Sequence, residues 1–188
     1  MDELTDTFPR TLLVLRLRMP ISDDLSPRSF VTKICKYRKV VDIPNSMSVL
    51  YDLLPLALRM SEARLTGRYN FTNPGTISHG QVLKMYQSKI DPSFWWEHFT
   101  EEEQAAVLKA PRSNNELDTS KLQDAADTLG VPLPGIVPAF EACFDRMAAG
   151  LREQGCLPPP AMKPDKEAMD AAILAARAGT ADEMVAAA

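Results

Sequence analysis

One short segment of the chain, residues 110–122 (APRSNNELDTSKL), concentrates side chains that bind anions and hydroxyl groups. The guanidinium of Arg112 can hold a phosphate through two parallel hydrogen bonds. The carboxamides of Asn114 and Asn115 both donate and accept hydrogen bonds, which suits sugar hydroxyls. On the residues alone, a solvated loop in which Ser113 and Asp118 only act as caps is the simpler interpretation, and ligand binding is the alternative to it.

Two further polar positions follow predicted strands. Arg18 ends the apolar run at residues 11–18, and Asn73 follows a second predicted strand at 68–72 and opens an Asn-Pro-Gly turn. In an open α/β sheet, ligands bind beyond the carboxyl ends of the strands. The loop at residues 18–22 and Asn73 are therefore predicted to face a ligand. An asparagine that merely shapes the turn explains Asn73 at least as well.

Catalytic motifs are absent from the sequence. It contains no G-x-G-x-x-G turn, no Tyr-x-x-x-Lys pair, no P-loop, no G-x-S-x-G and no C-x-x-C. Tyr86 and Lys89 approach the second pattern, but they are three positions apart rather than four. The two histidines, His79 and His98, have no evident triad partners and are predicted to be structural or exposed. We therefore predict no catalytic residue and no metal ligand.

The pattern of apolar and chain-breaking residues predicts an α/β fold. Strands are expected at residues 11–18, 40–43 and 68–72, and helices at 26–37, 48–65, 78–88, 100–108, 118–129 and 134–154. Ser26 would cap the first helix, Gly67 would stop the second and Gly130 would end the fifth. Capping boxes are predicted at the starts of two other helices, from Ser78 with Gln81 and from Thr100 with Glu103. Val137, Phe140 and Phe144 would share the inner face of the last helix. Two or three strands are too few for a stable doubly wound sheet, so the missing strands are expected from elsewhere.

The composition changes near residue 155. Four prolines between residues 156 and 164 predict an extended linker at 155–164. It would separate a domain at 1–154 from an Ala-rich helical or disordered tail at 165–188. Within the domain, the Trp95–Trp96 pair is predicted to lie in the core or on a docking surface.

Composition and charge limit the class of protein. The 188 residues carry a net charge of −4, which argues against a nucleic-acid-binding surface. No apolar run approaches the roughly 18–20 residues of a membrane span, and the first residues do not look like a secretory signal. Three widely spaced cysteines indicate free thiols in a reducing compartment. We expect a cytoplasmic protein with neither nucleic-acid nor membrane partners.

Three segments, at residues 18–58 (beginning RMPISDDLSPRSF), 67–92 (GRYNFTNPGTISHGQVLKMYQSKIDP) and 110–122, closely resemble the nucleotide-rhamnose synthases. These are bifunctional 3,5-epimerase/4-reductases that act on nucleotide-linked 4-keto-6-deoxyglucose, and they also form the carboxyl-terminal domain of plant rhamnose synthases. The resemblance runs from about residue 1 to about residue 151. It implies the carboxyl-terminal part of an extended short-chain dehydrogenase/reductase, with a partial Rossmann sheet and a mostly helical substrate lobe.

The resemblance also implies roles for individual residues. The loop at residues 18–22 would pass near the nicotinamide, so the predicted cofactor contacts are Met19, Pro20 and Ile21. Strand ends and resemblance together give the predicted substrate contacts, which are Arg18, Asn45, Ser46, Met47, Asn73, Arg112, Asn114 and Asn115.

Members of the family carry a glycine-rich turn and a Tyr-x-x-x-Lys pair before the segment that matches here. The tyrosine would protonate the carbonyl oxygen, and the lysine would lower its pKa. The chain is therefore expected to begin just after this pair, to be inactive alone, and to bind NAD(P)H only within the complete enzyme.

The expected function is the substrate-side portion of an NAD(P)H-dependent nucleotide-sugar 3,5-epimerase/4-reductase. Its expected partners are the nucleotide sugar and either the missing amino-terminal half or a full-length relative. The alternative is a non-catalytic sugar-nucleotide-binding or regulatory module that docks on a full-length relative. A structural protein that associates through its Ala-rich tail is a weaker third possibility.

Overall fold

The computed structural model describes residues 7, 8, 10–100, 103, 116–163, 165–167, 169 and 170. The predicted helical turn at residues 1–7, residues 104–115 and the tail beyond residue 170 lie wholly or mostly outside this part of the chain. The described elements are, in order, β1 (Leu13–Arg16), β2 (Pro20–Ile21), α1 (Phe30–Ile34), β3 (Lys39–Val40), β4 (Ser48–Val49), α2 (Leu50–Glu62), β5 (Gly67–Asn70), α3 (His79–Lys89), β6 (Glu97–His98), α4 (Ser120–Leu129) and α5 (Ile136–Glu153).

The described strands form three parallel pairs. β1 pairs with β5, with Leu13 opposite Gly67, while β2 pairs with β4 and β3 pairs with β6. Parallel neighbours need a crossover connection, which is usually helical. The connection between β1 and β5 contains α1 and α2. Mixed helices and parallel strands confirm the predicted α/β class, and the strands predicted at 11–18 and 68–72 are β1 and β5.

β1 is shorter than predicted at both ends. The amides of Thr11 and Leu12 donate to the carbonyl of Phe8, which makes a turn before the strand. After the strand, the amide of Arg18 donates to Ser48 Oγ at 3.1 Å. Met19 then has a φ of 47°, which takes the backbone out of the strand region.

The helix predicted at residues 26–37 is wrong at both ends. The carbonyl of Ser26 accepts from the amide of Ser29 in a turn, and Ser29 itself is extended with a ψ of 138°. α1 therefore begins at Phe30, and it ends at Ile34. The strand predicted at 40–43 is displaced in the same way, because the two residues that pair with β6 are Lys39 and Val40.

α2 begins and ends differently from the prediction. Ser48 and Val49 form β4 before the helix starts, since they pair with β2. At the other end, Arg64 adopts the left-handed conformation with a φ of 54°, so the helix ends before Gly67. Gly67, with a φ of 97°, instead opens β5, and its prediction as a helix stop is wrong.

The local hydrogen bonds predicted at three helix ends are confirmed, although most of the helix predicted at 100–108 lies outside the described residues. Ser78 and Gln81 form a capping box at the start of α3. Thr100 and Glu103 exchange the same reciprocal bonds, at 3.0 and 3.2 Å. Gly130, with a φ of 64°, ends α4 in the left-handed conformation.

Two apolar cores hold the elements together. The larger core packs α1, α3 and α5 around β2 and β4, and the smaller lies between the β1–β5 pair and helices α2 and α4. Phe140 and Phe144 lie on the buried face of α5 as predicted, but Val137 is 39% exposed and Ile136 takes its place. Residues 136, 140 and 144 follow the helical period, and position 137 is offset by about 100°.

The Pro-rich stretch after α5 packs on the larger core without forming a helix or strand. Pro159 and Lys163 are buried, and Leu157 and Met162 contact the core. None of the helices in the described part of the chain is long and apolar enough to cross a membrane.

All three cysteines are free, as predicted. Cys35 and Cys143 are buried and Cys156 is exposed. Burial raises the pKa of Cys35 to about 12 and also raises the pKa of Cys143. The two buried thiols therefore stay protonated near neutral pH and act as small apolar side chains.

Candidate functional site

Arg18 and Asn45, both predicted ligand contacts, lie together. Arg18 Nη2 donates to Asn45 Oδ1 at 2.7 Å, and Asn45 Nδ2 donates to the carbonyl of Ile43 at 3.0 Å. Arg18 Nε is buried and has no hydrogen-bond partner among the described residues. A buried donor of this kind is costly unless an acceptor reaches it, so a ligand oxygen beside Arg18 would satisfy it.

The backbone of Asn45 is fixed by the start of α3. Its amide and carbonyl exchange hydrogen bonds with Ile77 at 3.0 and 3.1 Å, which makes an antiparallel bridge. Ile77 directly precedes Ser78, the cap of α3. The loop that carries Asn45 is thus held between this helix and the residues that follow β1.

Ser46 joins the same loop to the chain before α4. Its Oγ accepts from the amide of Leu117 at 2.9 Å and donates to the carbonyl of Gly75 at 3.4 Å. Leu117 belongs to the segment at residues 110–122, whose carboxyl end therefore lies beside the loop. Within that segment, Arg112, Asn114 and Asn115 lie outside the described residues, so their binding roles stay predictions.

Met47 and Ile21 have fully buried side chains in the larger core. Both residues are 0% exposed, backbone included, so neither presents accessible surface to a ligand. Pro20 is exposed and Met19 is partly buried, so these two form the surface of the loop after β1. The predicted cofactor and substrate roles of these residues are not decided by this placement.

Asn73 uses its side chain inside the protein. Its Oδ1 accepts from the amide of Val49 at 2.9 Å, and its Nδ2 donates to the carbonyl of Pro134 at 3.2 Å and to Asp52 Oδ2 at 3.4 Å. The residue has no exposed surface. This arrangement favours the interpretation in which Asn73 shapes the structure. Burial raises the pKa of the neighbouring Asp52 carboxyl.

An ion pair between distant residues holds the loop after β2. Arg146 of α5 donates through Nε to Asp23, and its guanidinium carbon lies 3.8 Å from the ring centroid of Tyr51. Asp23 Oδ1 and Arg146 Nη2 have no further hydrogen-bond partner among the described residues. The two residues are 123 positions apart, so no local sequence pattern could have predicted the pair.

A cavity of about 550 Å³ lies between α1 and β3 and reaches Met19 of the predicted ligand loop. Its volume is within the range of small-molecule sites. Rings from Phe30, Tyr37 and Phe99 line it together with cationic side chains. These cations are Lys33, Lys36, Arg38 and Lys39. The dense cationic run at residues 33–39 was a signal in the sequence that our prediction did not use.

Glu97 and Glu103 are among the carboxylates that pair with cations at this cavity. Arg38 donates to Glu97 through Nε at 3.3 Å and Nη2 at 3.2 Å, and Lys39 pairs with Glu103. These hydrogen bonds lower the pKa of both carboxyls. Lys36 makes no ion pair within the described part of the chain. The cavity therefore has unneutralised positive charge, which suits an anionic ligand.

Gly80 allows close packing beside the cavity. Its amide donates to Asp42 Oδ1 at 3.1 Å. A Cβ at this position would lie 2.6 Å from His98 Cε1 and 2.7 Å from Asp42 Oδ1, so a larger residue would require these side chains to shift. His79 packs on Phe30 with ring centroids 5.2 Å apart.

These features define the class of protein: an α/β fold with a polar loop at the carboxyl end of β1 and a cationic cavity next to it. No known protein-family model matches the chain. Individual proteins do match it. The chain is 58% identical over 123 residues to a bifunctional dTDP-4-dehydrorhamnose 3,5-epimerase/dTDP-4-dehydrorhamnose reductase of Arabidopsis thaliana, covering 65% of this chain and 40% of that enzyme.

Two more proteins give the same result. A trifunctional UDP-glucose 4,6-dehydratase/UDP-4-keto-6-deoxy-D-glucose 3,5-epimerase/UDP-4-keto-L-rhamnose-reductase of Arabidopsis thaliana is 59% identical over 110 residues, which are 58% of this chain and 16% of that enzyme. The crystal structure of a UDP-rhamnose synthase from Acanthamoeba polyphaga mimivirus superposes with a TM-score of 0.69 at 39% identity, covering 77% of this chain and 49% of that one.

The chain is therefore homologous to a partial region of the nucleotide-rhamnose synthases, and the resemblance seen in the sequence is confirmed. It spans less than half the length of each of these three relatives, with 40%, 16% and 49% covered.

Proposed function

We propose that this chain is the substrate-side portion of an NAD(P)H-dependent nucleotide-sugar 3,5-epimerase/4-reductase of the extended short-chain dehydrogenase/reductase type. The complete enzyme would make a nucleotide-L-rhamnose from the nucleotide-linked 4-keto-6-deoxyglucose. The observation that carries this proposal is the 58% identity over 123 residues to a plant enzyme named for both activities.

In this proposal the sugar lies against the loops that hold Arg18 and Asn45. Arg18 Nε, which has no partner among the described residues, would donate to a sugar or phosphate oxygen. Asn45, already bonded to Arg18 at 2.7 Å, would keep the guanidinium oriented. Arg112, Asn114 and Asn115 would close over the ligand from the segment whose carboxyl end is bonded to Ser46.

The cationic cavity would take the nucleotide diphosphate. Lys33, Lys36 and Arg38 supply positive charge for the phosphates, and the rings of Tyr37 and Phe99 supply flat surfaces for a base. An anion of this type would be attracted before contact, because clefts lined by one sign of charge focus the field.

The expected cofactor, NAD(P)H, would supply the hydride that reduces the sugar ketone. The residues present fit at most its nicotinamide end, since Pro20 is exposed and Met19 partly buried at the loop after β1. A dinucleotide pyrophosphate needs a glycine-rich turn at a helix start, and the 188 residues contain none. We expect the chain alone to bind the nucleotide sugar but not the cofactor.

Ligand binding is tested by titrating UDP and dTDP into the full chain in a calorimeter. We expect Lys36→Met to weaken binding about three- to tenfold, because it removes a charge that no described carboxylate neutralises. Lys84→Met is the matched control, since Lys84 is an exposed lysine on α3 away from the cavity. Equal affinities in the two variants would remove the cavity from the proposal.

Activity is tested by complementation. The amino-terminal part of the Arabidopsis bifunctional enzyme, up to its matching region, is co-expressed with this chain, and NADPH oxidation is followed with the 4-keto sugar nucleotide. We expect turnover from the pair and none from either part alone. Turnover by the chain alone would refute its role as one portion of a site. UDP binding without complementation would favour the non-catalytic module that docks on a full-length relative.

A further inference from the structure

The segment after α5 reaches the rim of the cationic cavity through Lys163. This side chain is buried, and its Nζ donates to the carbonyl of Tyr37 at 2.9 Å. The ammonium lies 4.2 Å from the ring centroid of Phe94 and 4.6 Å from that of Trp95. Cations are attracted to aromatic faces, so Lys163 anchors the segment to the connections that lead into β3 and β6.

Beyond this anchor, the segment carries charges that pair with the rim. Asp170 Oδ1 lies 2.5 Å from Arg38 Nη2, and Lys166 Nζ lies 3.7 Å from Glu97 Oε1. Arg38 is also a lining residue of the cavity. Its guanidinium is therefore shared between two carboxylates of the protein, and a phosphate in the cavity would compete with both.

We propose that the described residues between Cys156 and Asp170, here called the strap, are an autoinhibitory element in which Asp170 occupies Arg38 and lowers the affinity of the cavity for anionic ligands. This inference rests on the nucleotide site proposed above. Anchoring by Lys163 keeps Asp170 close to Arg38, which makes their contact an intramolecular one with a high effective concentration. By linkage, an anion that takes Arg38 loosens the strap by the same factor.

The competition is tested with Asp170→Asn, which removes the charge and keeps the size of the side chain. UDP binding to the full chain is measured by calorimetry at low salt, where exposed pairs contribute most. We expect binding about two- to fivefold tighter than in the wild type, the range for an exposed ion pair. Glu167→Gln removes one negative charge from the same strap without breaking an ion pair of the described residues, and should leave the affinity unchanged.

The anchor is tested by tryptic cleavage after Lys166, followed by mass spectrometry. Lys163→Met should speed this cleavage in the folded chain, and UDP should speed it in the wild type by displacing Asp170. If neither Lys163→Met nor the addition of UDP alters the rate of cleavage, the proposed inhibitory role of the strap is wrong.

The results also separate the two proposals. If UDP binds the wild type and Asp170→Asn with the same affinity, the strap is refuted and the proposed function is unaffected. The same holds if Glu167→Gln raises the affinity as much as Asp170→Asn does. Absence of UDP binding in every variant overturns the nucleotide site, and the inhibitory role falls with it.

Discussion

Asn73 Oδ1 accepts a hydrogen bond from the amide of Val49 at 2.9 Å, where β4 passes into α2. The other end of the same carboxamide donates to the carbonyl of Pro134, just before α5. One buried side chain thus joins the turn after β5 to the starts of two helices. The role of Asn73 is therefore structural, and its removal should measurably lower the stability of the fold.

Replacing Asn73 with alanine should lower the free energy of unfolding by about 2–4 kcal/mol, because a buried amide and a part-buried carbonyl lose their partner together. Urea denaturation measures the change. Asn70→Ala is the matched control: Asn70 makes one exposed bond to the carbonyl of Asp118 at 2.8 Å, so about 1 kcal/mol or less is expected. Equal losses in the two variants would contradict the structural role of Asn73.

Asn45→Ala should destabilise the chain by about 1–3 kcal/mol, because Arg18 loses the acceptor of its 2.7 Å hydrogen bond. Asn45→Asp keeps an acceptor oxygen for the guanidinium and should retain more of the stability. Thermal unfolding of the wild type, Asn45→Ala and Asn45→Asp at neutral pH measures the order of their stabilities. Aspartate also loses the donor to the carbonyl of Ile43, so an aspartate variant that is the less stable of the two would show that this bond contributes more than the Arg18 contact.

Replacing Gly80 or Gly150 with alanine should change the stability of the chain in opposite directions. Gly80→Ala places a Cβ 2.6 Å from His98 Cε1 and should destabilise the chain by about 1–3 kcal/mol. Gly150→Ala, within α5, meets no atom within 4 Å and should stabilise it by roughly 0.5–1 kcal/mol, since alanine is the better helix residue. Chemical denaturation measures the change in the free energy of unfolding for each variant. A stabilising effect of Gly80→Ala would contradict the close packing at the start of α3.

Lys163 should make stability depend on pH in the alkaline range. Burial lowers the pKa of its amine from the ordinary 10.5 to about 8. Between these two values the unfolded chain binds more protons than the folded chain, so the free energy of unfolding rises with pH. Below pH 8 both states are protonated, and the full cost of burying the charge is present.

Comparing wild type with Lys163→Met isolates this effect. The stability of the wild type relative to the variant should increase as the pH is raised from 7 to 10 in urea titrations. Lys166→Met, at a more exposed position of the same strap, should follow the wild-type profile. A difference between wild type and Lys163→Met that stays flat with pH would show that Lys163 does not titrate on unfolding in this range.

Local features of the fold could be predicted from the sequence. The capping boxes at Ser78 and Thr100 and the left-handed Gly130 depend on residues within four positions of one another, and all three are confirmed. Ser26 and Gly67 carry the same kind of local signal, but Ser26 lies in a turn before α1, and strand pairing outweighs the signal at Gly67. β5 pairs with β1 at Gly67, so the preceding helix has to end earlier, at Glu62.

The candidate site was only partly accessible from the sequence. Strand ends and resemblance brought Arg18 and Asn45 into the prediction, and the structure places them in contact. The partnership of Arg146 with Asp23 spans 123 residues and depends on how α5 packs, which no spacing rule describes. The contacts of Lys163 could not be predicted either, because they also depend on tertiary packing. Prolines predict an extended chain, but they do not predict the surface on which it lies.

The three parallel strand pairs have a further consequence, for the time course of folding. Leu13 pairs with Gly67, a separation of 67 − 13 = 54 residues, and Lys39 pairs with Glu97, a separation of 97 − 39 = 58 residues. Pairs this distant close their loops late, because the entropy of the intervening chain is lost before the contacts form. The backbone hydrogen bonds within α3 and α5 join residues only about four positions apart, so we expect these two helices to gain structure first. β1 should pair only after β5 has been synthesised on the ribosome.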